Sequence, residues 1–149
     1  MPGIDECLLD VMRLPGARGA AVVDWTSGLA LGTIGESPNG DHEATAAETA
    51  EVARMAAEQP VFAQAAHTAG SAPAALRTPT RPDQDPTAPV GPAVEDVIVT
   101  TAVGYHILRF VETAFDSSVF LHLWLDRTEG NLALARIRIG EIAERLVLA

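Results

Sequence analysis

Apolar residues recur along this chain with two different periods, and each change of period marks an element. Near the N-terminus Ile4, Leu8, Val11 and Met12 stand at helical spacing, and the stretch stops at Leu14-Pro15-Gly16, because proline cannot extend a helix and glycine permits the turn. Two runs of strand character follow, GAAVVDW and LALGTI, joined by Thr26-Ser27-Gly28, whose glycine can take positive φ; together they predict an antiparallel hairpin. Beyond the loop SPNGD, the segment from about His42 to Glu58 is rich in Ala and Glu, strong helix formers, with Asp41 placed to cap its first turn. EDVIVTTA, YHILRFVE and VFLHLWL are three further strands, with turn signals at Val103-Gly104 and Asp116-Ser117-Ser118. A polar turn, DRTEG, leads into NLALARIRIGEIAERL, where Leu132, Ala135, Ile139, Ile142 and Leu146 lay one apolar stripe along a third helix.

This order predicts an α/β chain of the α+β kind: one five-stranded antiparallel sheet with helices on both faces. Apolar residues at both parities of VFLHLWL place that strand in the middle of the sheet. The first and third helices are expected on one face and the second on the other, where alone it covers little. The second helix carries a stripe of small residues, Ala46, Ala50, Ala53 and Ala57, with Val52, Met55 and later Phe62 to one side; small side chains let a neighbouring backbone approach closely. A second copy laying its own helix alongside would complete the layer with twofold symmetry, and the third strand, if it is an edge, would pair with its mate. The candidate dimer contacts are therefore Ala46, Ala50, Ala53, Ala57, Val52, Met55, Val97 and Val99.

Composition changes sharply from about Ala66 to Ala93, where six of the ten prolines fall among Ala, Thr, Gly and Asp. Such a segment cannot offset its ordering entropy by burial, so it reads as a flexible Pro/Ala-rich loop interrupting a single domain of residues 1–149. Twenty acidic residues against ten arginines and no lysine give a net charge of −10, which disfavours nucleic acid and anionic lipid as partners. The apolar runs are of strand length, too short for membrane insertion. A single cysteine and no secretory segment point to the cytoplasm.

Candidate chemistry is sparse. Four histidines and Cys7 show no metal-ligand spacing, and His106 and His122, on neighbouring strands, read as hydrogen-bonded core-edge residues. Cys7 reads as packing material, with a reactive thiol as the sharper alternative. Ser27 lacks a nucleophile context, and Asp24 beside it reads as a turn residue that bonds nearby amides. The glycines follow neither dinucleotide nor P-loop pattern, so no cofactor or metal is expected and the chain is not read as an enzyme. Asp41, Glu43, Glu48, Glu51 and Glu58 against Arg54 give the second helix and its entry a local charge of −4. That surface is either a solvated face or an acidic docking site, with Glu48, Glu51, Arg54 and Glu58 as candidate partner contacts.

Three segments, LPGARGAAVVDWTSGLALGTIG, VEDVIVTTAVGYHILR and FLHLWLDRTEGNLALARIRIGEI, resemble the roadblock/dynein light chain family in its bacterial branch, related to the gliding-motility regulator that accompanies a Ras-like GTPase. The resemblance is carried by D-x-x-S-G at Asp24 to Gly28, YHILR at Tyr105 to Arg109, and LDR-x-x-x-NLALAR at Leu125 to Arg136. It covers nearly everything outside 66–93. It implies a profilin-like roadblock fold and a homodimeric, non-enzymatic module that binds a small Ras-like GTPase and modulates its hydrolysis or localisation. It implies no arginine finger, and so no catalytic role for Arg54 or Arg109. A sensor histidine kinase system is an implied neighbour, and membrane recruitment by a partner an implied option. Arginine in place of lysine fits a GC-rich, actinobacterial source. His122 stands where family members often carry tyrosine. The other reading is a small-ligand sensor of profilin-like or PAS-like type, which would need a closed apolar pocket.

Overall fold

The computed structural model describes residues 3–62, 94–112 and 118–146. In chain order the main elements are α1 (Ile4–Met12), β1 (Ala17–Asp24), β2 (Leu29–Gly35), α2 (His42–Glu58), β3 (Asp96–Thr100), β4 (Gly104–Val111), β5 (Val119–Asp126) and α3 (Leu132–Arg145). The expected elements are all present. The proposed flexible loop at 66–93 and the turn residues Asp116 and Ser117 lie outside the described residues.

All four strand pairings are antiparallel, in the order β2-β1-β5-β4-β3. β5 is central, as its two-sided apolar pattern requires, and seven of its eight residues are buried. β2 and β3 are the edges. Since side chains alternate between faces, odd-numbered β5 residues meet one helical layer and even-numbered ones the other.

On the first face Leu121, Leu123 and Leu125 pack with Val22 and Ile107 against Leu8 and Val11 of α1 and Ala135, Ile139 and Ile142 of α3. Each fully buried Leu or Ile contributes about 1.5–3 kcal/mol, so this layer is the main source of stability. On the second face Phe120 joins Leu108, Phe110, Ala21 and Val23 under Ala46, Ala50 and Ala53 of α2. Helices α1 and α3 thus share one face and α2 holds the other, as the pattern predicts.

Local sequence sets the boundaries. Asp41 accepts hydrogen bonds from the amides of Glu43 and Ala44 at 3.0 and 3.2 Å, capping α2, and Asn131 accepts from the Leu134 amide at 3.1 Å, capping α3. Gly28 closes the first hairpin at φ +76°, its amide donating to the Asp24 carbonyl. Gly16, at φ +79°, sits so near the turn before α3 that a β-carbon there would lie 2.5 Å from the Gly130 nitrogen.

Candidate functional site

α2 presents different chemistry on each side. Ala46, Ala50 and Ala53 are fully buried against the chain's own sheet, with Ala57 half-buried beside the same cluster. The expectation that Ala46, Ala50 and Ala53 face a second copy is therefore corrected: their small side chains bring the helix down onto β1 and β2. What α2 turns outward is Met55, 58% exposed, followed after the helix end by Val61 and Phe62, 65% and 47% exposed.

Between the second half of α2 and β3 runs an apolar groove of about 580 Å³ lined by Val52, Met55, Ala56, Phe62, Val94 and Val97 among others. Val97 and Val99 point to this same face, since they stand opposite Leu108 and His106 in the β3–β4 ladder. Val99 is 39% exposed. β3 hydrogen-bonds with β4 alone, so among the described residues its outer backbone edge has no strand partner. The structure thus brings Val52, Met55, Val97 and Val99 to one apolar surface beside an open sheet edge.

The acidic candidates lie on the outer side of the same helix. Glu48, Glu51 and Glu58 are exposed. Arg54 is half-buried: it donates to Glu51 at 2.9 Å and to the backbone carbonyl of Trp25 at 2.8 Å, which ties the helix to the end of β1. Arg109 lies on the opposite face of the sheet, against Glu95 and Asp96.

Beyond the α2 layer on the same face of the sheet stands a stack of side chains, with His122 and Trp124 buried and His106 half-buried. His106 Nδ1 and His122 Nε2 are 2.9 Å apart, so one of the two nitrogens carries the proton between them. The rings stack with 5.2 Å between centroids, Trp124 lies parallel to His106, and the Arg18 guanidinium sits 4.0 Å from the Trp124 centroid. A β-bulge between Ala17 and Gly19 puts Arg18 there, and Glu36 holds it at 3.2 Å. Burial pushes His122 down to about 3, with the charges of His106 and His42 adding to the effect, and burial also lowers His106. Both rings are neutral near pH 7.

Comparison with solved structures places this architecture. A structure of Myxococcus xanthus MglB matches at a TM-score of 0.58 and 18% identity, over 95% of this chain and 79% of that one. An MglB with tetrameric arrangement matches at 0.62 and 16%, over 96% and 84%. A roadblock/LC7 domain from Streptomyces avermitilis matches at 0.57 and 15%, over 97% and 94%. The chain has the roadblock fold. At these identities the likeness is one of fold. No protein-family model matches the chain, and neither does any curated protein sequence.

Within this roadblock fold the remaining sequence candidates take structural places. Cys7 is buried in the α1 layer, and burial, helped by Asp10, pushes its thiol up, so the thiolate is disfavoured. Burial works against ionisation of Asp24, yet hydrogen bonds from the Thr26 hydroxyl and amide and the Ser118 hydroxyl outweigh it and hold the carboxyl below its ordinary value. The aspartate organises the hairpin, as its turn context implies. Among the described residues no three His, Cys, Asp or Glu gather as metal ligands, and no helix is long and apolar enough to cross a membrane.

Sequence reasoning missed the Arg18–Trp124 contact and the depth of the histidine pair. The parity of His106 and His122 on adjacent strands was the available signal. For Arg18 the bulge that directs it leaves no mark in the residue pattern.

Proposed function

We propose that this chain, read as a single roadblock domain spanning 1–149, is a non-enzymatic homodimeric module that binds a small Ras-like GTPase and modulates its GTP hydrolysis or localisation. The observation that carries the reading is the open edge of β3 beside the exposed apolar residues Met55, Phe62 and Val99, with half-buried Val97 among them. A second copy pairing on that edge would satisfy the backbone and cover the apolar surface in one step. The tetrameric arrangement described for one MglB supports self-association as a property of the fold.

The GTPase partner rests on the resemblance of the Asp24–Gly28, Tyr105–Arg109 and Leu125–Arg136 motifs, with the MglB-like fold in support. Glu48, Glu51 and Glu58 would offer a basic partner surface complementary charge, and Arg54, held by Trp25 and Glu51, would shape it without entering a catalytic centre. Association with a sensor histidine kinase system, a cytoplasmic site and recruitment to a membrane by a partner belong to the same reading.

The test is to mix the purified protein with a Ras-like GTPase from the same genome, loaded with GDP or a GTP analogue, and to measure complex formation and hydrolysis. Light scattering should give twice the chain's 15.6 kDa mass. A monomer at micromolar concentration, or no binding in either nucleotide state, would overturn the corresponding half of the proposal. The second reading is a small-ligand sensor of profilin-like or PAS-like type, for which the open apolar groove lined by Val52, Met55, Phe62 and Val97 would have to close over the ligand. That reading requires a ligand-dependent rise in melting temperature without GTPase binding.

A further inference from the structure

A pair of imidazoles sharing one proton inside a sheet is a chemically limited arrangement. With one proton in the gap, His106 and His122 form a good hydrogen bond; with a proton on both facing nitrogens, two donors oppose each other at 2.9 Å. The first additional proton therefore goes to the outer nitrogen of His106, the half-buried ring, while His122 stays enclosed.

The position of His106 gives that proton a consequence. His106 stands directly opposite Val99 on the edge strand β3, on the face where Val99 is exposed and Val97 half-buried beside α2. Side chains directly opposite in an antiparallel pair have β-carbons about 4.5–5.5 Å apart, so whatever covers Val99 also covers the edge of the imidazole. The groups turned toward the pair among the described residues are few. They are His42 of α2, Arg18 of β1 acting through Trp124, and Glu36, which pairs with Arg18. β3 contributes only valines on this face, and β5 contributes Trp124. Among the described residues no carboxylate hydrogen-bonds either ring to stabilise an imidazolium, and His42, if protonated, would oppose one at His122.

We propose that His106, hydrogen-bonded to His122, makes self-association through β3 and α2 sensitive to acid, because a second copy seated there removes water from a ring that carries a proton only while it stays hydrated. The inference rests on the dimer reading above. Its sign follows from linkage: the dimer binds the proton less well than the monomer does, so proton uptake favours the monomer. One proton per protomer sets a ceiling of about 100-fold in Kd per pH unit below the monomer's value for the ring. The glutamates of α2 act the other way. Protonating them relieves repulsion between two acidic helices and tightens the dimer, so the direction of the change separates the two causes.

Sedimentation velocity on the full chain at pH 7.5 and 5.0 tests this, with His106→Gln as the comparison, since its amide still donates to His122. Wild-type Kd should rise at least about tenfold on acidification while the variant stays within about threefold. A second measurement needs no variant: the His106 ring should titrate at lower pH in concentrated, dimeric samples than in dilute ones by nuclear magnetic resonance. A dimer whose Kd ignores pH, an equal loosening of the variant, or one titration midpoint at both concentrations overturns the inference alone. A monomer under all conditions overturns the dimer reading and the inference together.

Discussion

Arg136 Nε donates to Asp96 Oδ2 at 2.8 Å, joining the first residue of the edge strand to the third helix. Arg109, on the neighbouring strand, lies 3.6 Å from the same carboxylate. Asp96, at the border of the apolar groove, thus holds two guanidinium groups and fixes the start of β3 to α3. Asp96→Ala should destabilise the fold by about 1.5–3 kcal/mol in chemical denaturation, because the well-buried Arg109 loses its main partner. Arg136→Ala, which removes a half-exposed group, should change stability by less than about 1 kcal/mol.

The two sides of α2 predict opposite phenotypes. Ala50→Leu drives a large side chain into the close contact between helix and sheet and should cost about 1–3 kcal/mol in stability. Met55→Glu changes an outward residue, so stability should move by no more than about 0.5 kcal/mol while light scattering shows loss of the dimer. A Met55→Glu protein that remains dimeric would exclude this surface as the contact.

Acid should weaken the fold through His122. Its folded pKa, about 3, lies below the ordinary 6.5, so the unfolded chain takes up a proton that the folded chain refuses. The stability it contributes is complete above pH 6.5 and is lost as pH falls from there toward 3, at a rate approaching about 1.4 kcal/mol per pH unit. His122→Phe should flatten the dependence of denaturation midpoint on pH across that window. An unchanged slope would mean that other groups carry the acid response.

Gly16→Ala combines positive φ with a collision against the Gly130 backbone. It should lower stability by about 1–3 kcal/mol, well beyond the usual effect of a surface turn substitution, and thermal denaturation would register it directly.

The fold was legible because its layers are written in periodicity. VFLHLWL could only be a strand covered on both sides, and the stripe from Leu132 to Leu146 could only be a helix lying on it. The surface around α2 was legible in part. Met55, Val97 and Val99 are candidate contacts by sequence, and in the structure Met55 and Val99 are exposed and Val97 half-buried. The alanines were misdirected, because a stripe of small residues admits close approach of any backbone and does not say whose; here Ala46, Ala50 and Ala53 meet their own sheet. Asp96 and Arg136 are far apart in sequence and meet only through the packing of α3, so no local pattern announces them. Arg18 reaches Trp124 through a bulge, an irregularity that alternation alone cannot foretell.

The strand order also bears on how the molecule is made. β1 pairs with β5 along its length, Val22 opposite Leu121, so the N-terminal hairpin has no inner neighbour until the last strand has been synthesised. A nascent chain that has emerged only as far as β4 holds two separate hairpins and exposes the flanks that β5 will join. Completion of this sheet therefore waits on β5, and a ribosome stalled before Val119 would display an apolar, unfinished product suited to capture by chaperones.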